Sequence, residues 1–340
     1  MIYPPPLETG ATIGVTAPSN GTARALHPRL DLVLRHMRDL GFRVVEGDCL
    51  RQSTNHVSAP RAARATELME FLLRDDIDAV FPPWGGEFLI ELLPLLDFDA
   101  LRAAAPTWVL GFSDVSTLAF ALTLRTGIAS AHCANLMELV PRQTARLTRE
   151  TLGLLSSPVG ATFEQQSSDR WQSKFVDFKI DPAATFQLTE PTLWRALDGR
   201  SSVAFSGRLI GGCLDTISRL AGTPYGDVGA FADEHRADGV ILYFENCELR
   251  PSELVRALWG LRLAGWFDGL SGVLIGRSTA SDPDAFGQHA ALHMALDELD
   301  VPVLFDIDCG HRPPQMLFVN GARAAVQFAN GAATVRQTLA

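Results

Sequence analysis

Ser113, Glu245 and His311 each follow a short apolar run, and together they offer a nucleophile, an acid and a base. The serine lies in Thr107 to Leu122, TWVLGFSDVSTLAFAL. There Trp108-Val109-Leu110 ends in Gly111, a Phe112-Ser113-Asp114 corner follows, and a helical apolar pattern starts at once. A serine at such a corner sits where a strand turns sharply into a helix, among unpaired N–H groups at the positive end of the helix. Those N–H groups suit the oxyanion formed when a hydroxyl attacks a carbonyl. The plainer reading of the corner is a helix N-cap, a position that Ser and Asp favour. Val240 to Phe244 is an apolar strand running into Glu245, and Val301 to Phe305 is another, followed by Asp306-Ile307-Asp308-Cys309-Gly310-His311. Ligands of α/β sheets bind outside the carboxyl ends of the strands. A Ser, an acid and a His at three such ends therefore suggest a triad, which geometry rather than chain order must decide.

The elements around these corners alternate strand and helix through the first half. Ala11 to Ala17 reads as a strand that turns at Pro18-Ser19-Asn20-Gly21, Leu30 to Leu40 as a helix stopped by Gly41, and Phe42 to Val45 as the next strand. Arg61 to Leu73 has helical spacing, Ala79 to Phe81 is a strand, and Phe88 to Leu96 is helical again. This rhythm predicts a parallel sheet covered by helices. From Ser156 to Ser202 the chain turns polar and is punctuated by Pro158, Pro182 and Pro191, yet it holds Trp171, Phe175, Phe178, Phe186 and Trp194. So many aromatics argue for a structured crossover rather than a disordered linker. Beyond Val203, short strands alternate with two helices, Pro251 to Leu263 and Ala285 to Leu299. The expected organisation is an N-terminal α/β domain over residues 1–155 carrying the serine, a crossover over 156–202, and a C-terminal domain over 203–340 carrying the Glu and the His.

These stretches resemble the LD-carboxypeptidase family of serine peptidases. The matching segments are GATIGVTAPSNG (Gly10 to Gly21), WGGEFLIELLPLLDFD (Trp84 to Asp99), GFSD (Gly111 to Asp114), GRLIGGCLDTI (Gly207 to Ile217), ILYFE (Ile241 to Glu245), GVLIGR (Gly272 to Arg277) and FDIDCGH (Phe305 to His311). The resemblance implies Ser113 as nucleophile, His311 as general base and Glu245 as the residue orienting it. It implies oxyanion donors on the backbone of Asp114 and of the Gly85-Gly86 turn, chiefly Gly86. It also implies an N-terminal parallel-sheet domain of the flavodoxin or glutamine-amidotransferase type with a nucleophile elbow, followed by a C-terminal α+β domain with a small β-barrel-like sheet. A homodimer follows from it as well. The long crossover resembles the MccF-like branch, that of microcin C immunity proteins, in which an aromatic stacks on a nucleobase. Phe178 stands nearest that place, with Trp171 and Trp194 as other candidates, and packing of the domain interface is the alternative for all three.

The chain departs from the family pattern at two places. Glu87-Phe88-Leu89-Ile90 replaces small polar residues, and Cys213 replaces an asparagine. The substrate-binding set expected is thus Gly85, Phe178, Trp194, Cys213 and Arg277. For Arg277, a bidentate clamp on a substrate carboxylate competes with a surface ion pair. The substrate is expected to be a small molecule. It is either an aminoacyl- or peptidyl-nucleotide conjugate of the microcin C kind or a muropeptide that loses its terminal D-Ala. A non-catalytic ligand-binding module on the same fold is a third reading.

Composition excludes other classes. The 340 residues carry a net charge of −10, 47% apolar and 20% charged residues, and only Lys174 and Lys179 as lysines. An acidic chain without a basic footprint argues against nucleic acid as a partner. No apolar run nears the roughly 20 residues of a membrane span, and MIYPPPLETG lacks the features of a secretory signal, so a cytoplasmic protein without membrane contact is expected. Cys49, Cys133, Cys213, Cys247 and Cys309 form neither a disulfide framework nor a zinc ribbon. Cys133 beside His132 is the alternative nucleophile, disfavoured because neighbours on a strand point apart. His289 and His293 are four apart on one helix face, but no third ligand can be tied to them, and Asp308, Cys309 and His311 suggest a metal corner only if His311 is not the base. No cofactor and no resident metal are expected.

Overall fold

The computed structural model describes residues 1–282 and 285–340. Five strands of the first half, β1 (Thr12–Val15), β2 (Arg43–Glu46), β3 (Ala79–Val80), β4 (Trp108–Gly111) and β5 (Ser130–His132), pair in parallel in the order β2-β1-β3-β4-β5. That is the flavodoxin-like doubly wound order, with its switch point between β1 and β3. Beyond it, β6 (Thr162–Gln166), β7 (Arg170–Trp171), β8 (Glu190–Pro191) and β9 (Arg195–Ala196) belong to the aromatic crossover. The last seven are β10 (Ser202–Cys213), β11 (Val240–Glu245), β12 (Leu270–Gly276), β13 (Val303–Ile307), β14 (Phe318–Asn320), β15 (Arg323–Ala329) and β16 (Ala332–Thr338).

The second sheet runs β6-β16-β15-β10-β11-β12-β13-β9. Its centre, β10 to β13, is parallel and its flanks are antiparallel. The sequence shows why. VILYFE of β11 is buried at every position, as a strand covered on both faces must be, whereas β15 and β16 alternate buried and exposed residues. Closure into the expected barrel-like form would require β6 and β9 to pair. Among the described residues they do not, and the sheet is an open row. The short β14 leaves the second half to pair antiparallel with β5, which extends the first sheet to six strands.

The helix Val115–Thr126 lies between the two sheets. Val115 through Thr123 are all buried, which fits a helix apolar around its whole circumference. Leu118, Phe120 and Leu122 share one core with Ile210, Val240 and Leu242 of the second sheet. Burial of such side chains contributes about 1.5–3 kcal/mol each, so the helix that starts at the serine corner is firmly seated. The helices Arg61–Leu73 and Pro251–Leu263 have the bounds that their spacing predicts. The segment expected as a helix at Phe88 to Leu96 is 3₁₀ over Leu89–Leu95, because Pro94 lacks the N–H that an α-helix would use there. The helix expected from Ala285 begins at Gln288, just after Gly287.

Candidate active site

Ser113 has φ +62°, a left-handed backbone that a serine adopts only where its surroundings impose it. This distinguishes an elbow from an ordinary cap. The helix N-cap is Asp114, whose side chain makes no capping bond. The carboxylate of Asp114 is buried and used elsewhere. Its Oδ2 accepts from Ser19 Oγ at 2.5 Å and from the Leu89 N–H at 2.8 Å, and its Oδ1 accepts from Thr117 Oγ1 at 3.1 Å. Burial raises its proton affinity, and these donors offset part of that effect. One buried carboxylate thus ties together the loops that follow β1, β3 and β4. The sequence assigns a role only to the backbone of Asp114; the signal for its side chain is an acid directly after Ser113, which the N-cap reading also explains.

Gly85 and Gly86 lie against this corner. A Cβ on Gly85 would stand 2.6 Å from Asp114 N and 2.9 Å from Ser113 Oγ. One on Gly86, at φ +153°, would stand 2.3 Å from Ser19 Oγ. Only glycines let the turn approach the serine this closely. The Gly85 carbonyl accepts from Asn20 N at 3.3 Å, and Trp84 Nε1 donates to the Gly21 carbonyl at 3.2 Å, so the Pro18–Gly21 turn lines the same corner.

His311 reaches the corner from the other sheet. Ser113 Oγ lies 3.1 Å from His311 Nε2, and His311 Nδ1 lies 2.8 Å from Glu245 Oε2. The carboxylate assigns the ring proton to Nδ1, which leaves Nε2 to accept from the serine hydroxyl. Phe112 packs edge-on against the imidazole at 4.8 Å. Gly310 makes the approach possible, since at φ +96° its Cβ would fall 2.4 Å from Glu245 Cβ. Burial works against charge on both members of the pair. The Glu245 carboxylate nevertheless raises the His311 imidazole well above its usual 6.5, and the imidazolium holds Glu245 below the ordinary carboxylate range.

The other expected site residues divide. Cys213 is 1% exposed, beside Glu245 in the β10–β11 register, with Sγ 3.5 Å from Asp215 Oδ2. It stands behind Glu245, not on an open wall. Trp194 is 1% exposed with its N–H on Asp308 Oδ2 at 3.0 Å, so it is an interface side chain and not a stacking surface. Phe178 has one face covered by the Arg29 guanidinium, 3.5 Å from the ring centre. The aromatic that borders open space is Trp171. It lines a cavity of about 770 Å³ with Asn246, Arg277, Ser278, Arg312 and Asp306. The guanidinium carbons of Arg277 and Arg312 lie 5.5 and 5.8 Å from its ring centre. Asn246 and Arg312 are the chain neighbours of Glu245 and His311, so the cavity lies next to these residues, although Ser113, Glu245 and His311 themselves are all outside its wall.

Arg277 is 4% exposed and bound to Asp308 Oδ1 at 2.7 Å, which makes it a buried ion pair and not the surface pair considered above. The supposed metal corner is dispersed. Asp308 belongs to Arg277, and Cys309 Sγ lies 3.5 Å from His132 Nε2. His289 and His293 each face their own acid, Asp306 and Asp297. Cys133 is fully buried, its thiol pushed up to about 12 by burial, while burial lowers the neighbouring His132 to about 4. Neither has the access or the protonation that a nucleophile pair requires.

The chain is similar to known proteins over nearly its whole length. Two family models match the chain, an LD-carboxypeptidase N-terminal domain over residues 13–133 and an LD-carboxypeptidase C-terminal domain over residues 206–326. The microcin C7 self-immunity protein MccF of Escherichia coli is 25% identical over 96% of this chain and 93% of its own. The murein tetrapeptide carboxypeptidase of Pseudomonas aeruginosa is 26% identical over 93% of this chain and 92% of its own. A solved structure of MccF in complex with glutamyl sulfamoyl guanosine superposes with a TM-score of 0.84 over 98% of both chains, at 22% identity. The paired domain models cover most of the chain and the fold around its serine elbow is the same, and so this protein belongs to the LD-carboxypeptidase family of serine hydrolases.

Proposed function

We propose that this enzyme hydrolyses an amide through Ser113, His311 and Glu245, and that its substrate is an aminoacyl- or peptidyl-nucleotide conjugate of the microcin C kind. The observation that carries the first part is the unbroken chain from Ser113 Oγ to His311 Nε2 at 3.1 Å and from His311 Nδ1 to Glu245 at 2.8 Å, on a serine held at φ +62°. His311 takes the serine proton as Oγ attacks the carbonyl, and later returns it to the leaving nitrogen. The backbone N–H groups of Asp114 and Gly86 hold the oxyanion. Water then attacks the acyl-enzyme with His311 again as base. Glu245 fixes the tautomer and steadies the imidazolium.

The cavity beside the triad supports the substrate. Trp171 offers a face for a base and Arg312 offers positive charge for an anionic linkage, while the charge of Arg277 is already met by Asp308. The solved MccF complex holds glutamyl sulfamoyl guanosine, a ligand of that chemical class. The second reading is a muropeptide carboxypeptidase releasing D-Ala, favoured by the similarity to the murein tetrapeptide carboxypeptidase. A cytoplasmic homodimer completes the proposal. The five unpaired cysteines support a reducing compartment, and sedimentation would test the dimer.

Mass spectrometry of products decides between the two substrates. Wild type and Ser113→Ala are incubated with aspartyl sulfamoyl adenosine and with a muramyl tetrapeptide. Serine-dependent release of aspartate is the expected result, and serine-dependent release of D-Ala alone would replace it with the second reading. Labelling of wild type but not Ser113→Ala by a fluorophosphonate separates an enzyme from a binding module.

A further inference from the structure

We propose that Cys213, Glu245 and His311 form a site for a soft divalent cation, Zn²⁺ or Cd²⁺, and that its occupancy switches the serine off. One ligand atom from each of the three lies within 4.8 Å of the other two. A thiolate, an imidazole and a carboxylate are the donors that Zn²⁺ and Cd²⁺ select, and three protein ligands with one open position are a familiar zinc arrangement. Bond lengths of about 2.0–2.3 Å place tetrahedral ligands roughly 3.5 Å apart, so the set must close by about 1 Å. Two of its members are built into the sheet. Cys213 and Glu245 are paired residues at the carboxyl ends of neighbouring parallel strands, and both are buried. His311 is the adjustable member and the way in, with its side chain 22% exposed.

A second observation points into the same space. Glu245 Oε1 is buried and, among the described residues, has no hydrogen-bond partner by geometry, although the Cys213 thiol beside it helps to hold the carboxylate ionised. A buried carboxylate with an unused oxygen is costly, and a cation would repay that cost. The thiol completes the set, since without it Glu245 and His311 are only two ligands.

Binding is balanced as follows. The Cys213 thiol releases its proton to solvent and becomes a thiolate. The imidazole binds the cation through Nδ1, and the proton that Nδ1 carried moves to Nε2. The site is then neutral overall, with two negative ligands on a dication. With Nε2 protonated, His311 has no lone pair to accept from Ser113 Oγ, and general-base catalysis stops. The cation-binding half stands on geometry alone, and the switching half rests on the proposed role of Ser113.

The test separates the two halves. Full-length, metal-free protein is titrated with Cd²⁺ and followed by thiolate-to-cadmium ultraviolet absorption. The band should saturate at one equivalent in wild type and persist in Ser113→Ala, which keeps all three ligands. It should also persist in Cys247→Ser, a control for the partly exposed thiol near His311. It should vanish in Cys213→Ala and weaken in Cys213→Ser, with apparent affinity down by at least about tenfold. A band of equal size in Cys213→Ala, or none in wild type, overturns the site. Zn²⁺ is then added during fluorophosphonate labelling, with each variant compared with its own metal-free rate. Wild type should slow by at least about tenfold and recover with chelator, while Cys213→Ala and Cys213→Ser, confirmed folded by circular dichroism, should slow far less. A wild type that binds one Cd²⁺ through Cys213 yet labels at an unchanged rate with Zn²⁺ overturns the switch. The titration remains decisive for the site even if neither amide substrate is hydrolysed.

Discussion

Two acid–base pairs stand side by side at the carboxyl ends of the second sheet, and they are put to opposite uses. Glu245 and His311 are joined at 2.8 Å, and Asp308 and Arg277 at 2.7 Å. Asp308 spends both oxygens. Oδ1 takes Ser168 Oγ at 2.6 Å as well as Arg277, and Oδ2 takes Ser168 N at 2.9 Å and Trp194 Nε1 at 3.0 Å. Glu245 keeps one oxygen unpartnered, and its His311 turns a free nitrogen toward a serine. Residue type and strand end do not separate the two pairs. Nor does unused bonding capacity, since Glu245 Oε1 and Arg277 Nη1 both lack a partner among the described residues; what separates them is that His311 Nε2 faces the Ser113 hydroxyl at 3.1 Å. In the function proposed above the first pair serves the chemistry, whereas the second fastens the crossover to the sheet.

The most severe way to break this contrast is Ser113→Ala. It should lower the hydrolytic rate by about 10³- to 10⁶-fold, because triad members act as a unit, while changing unfolding free energy by less than about 0.5 kcal/mol. Retained hydrolysis would dissolve the distinction between the pairs. Asp308→Ala should do the reverse. Removing one partner of a buried ion pair leaves the Arg277 charge uncompensated, and the cost is about 3–5 kcal/mol in urea unfolding. Ser168 and Trp194 lose their acceptor in the same step, so the 168–194 segment should also become protease-sensitive. If its stability matched wild type, Asp308 would not be the fastener described here.

Much of this was legible in the chain. Three strand ends carrying Ser, Glu and His could be read from apolar runs, and the structure brings those three residues together. The alternation of strand and helix through the first half pointed to its parallel sheet, because strands joined by helical crossovers run parallel. What could not be read were partners distant in sequence. Trp194 and Phe178 looked like available aromatics in a polar stretch. Their surroundings, Asp308 for one and Arg29 for the other, lie more than a hundred residues away. Arg277 posed the same problem, since a guanidinium after a strand reads alike whether its acid is buried or on the surface. The left-handed backbone of Ser113 was hidden for a different reason. Serine has no intrinsic preference for that conformation, and only the packing of the corner imposes it.

The oxyanion side of the comparison is sharpened by Gly86→Ala. The new methyl would meet Ser19 Oγ at 2.3 Å and a φ of +153° disfavours it, so the turn must shift away from Ser113. Displacing one oxyanion donor lowers the turnover rate by about 10²- to 10³-fold. Fluorophosphonate labelling should fall with it, and because the methyl presses on the buried Ser19 the melting temperature should fall as well. A variant with normal turnover would remove Gly86 from the oxyanion site and leave Asp114 as its single proposed donor.

A third carboxylate tests whether poise is confined to the triad. Burial pushes Glu138 up to about 7, with partial relief from the Asn135 N–H, which it accepts at 3.1 Å. Asn135 in turn accepts the Phe112 N–H through Oδ1 at 3.1 Å, one residue before the serine. Because its folded value lies above the ordinary carboxylate value of 4.5, the native state binds more protons than the unfolded chain between about 4.5 and 7. Stability therefore falls as pH rises through that window and levels off above it. The cost is at most about 3 kcal/mol. Glu138→Gln keeps the acceptor for Asn135 and removes the charge. Relative to wild type it should gain stability between about pH 5 and about pH 8 in urea unfolding, with little change in rate at the upper pH. A difference that does not vary with pH would mean that Glu138 titrates as an ordinary surface acid. In that case it belongs with neither pair, and the corner before Ser113 is held by Asn135 alone.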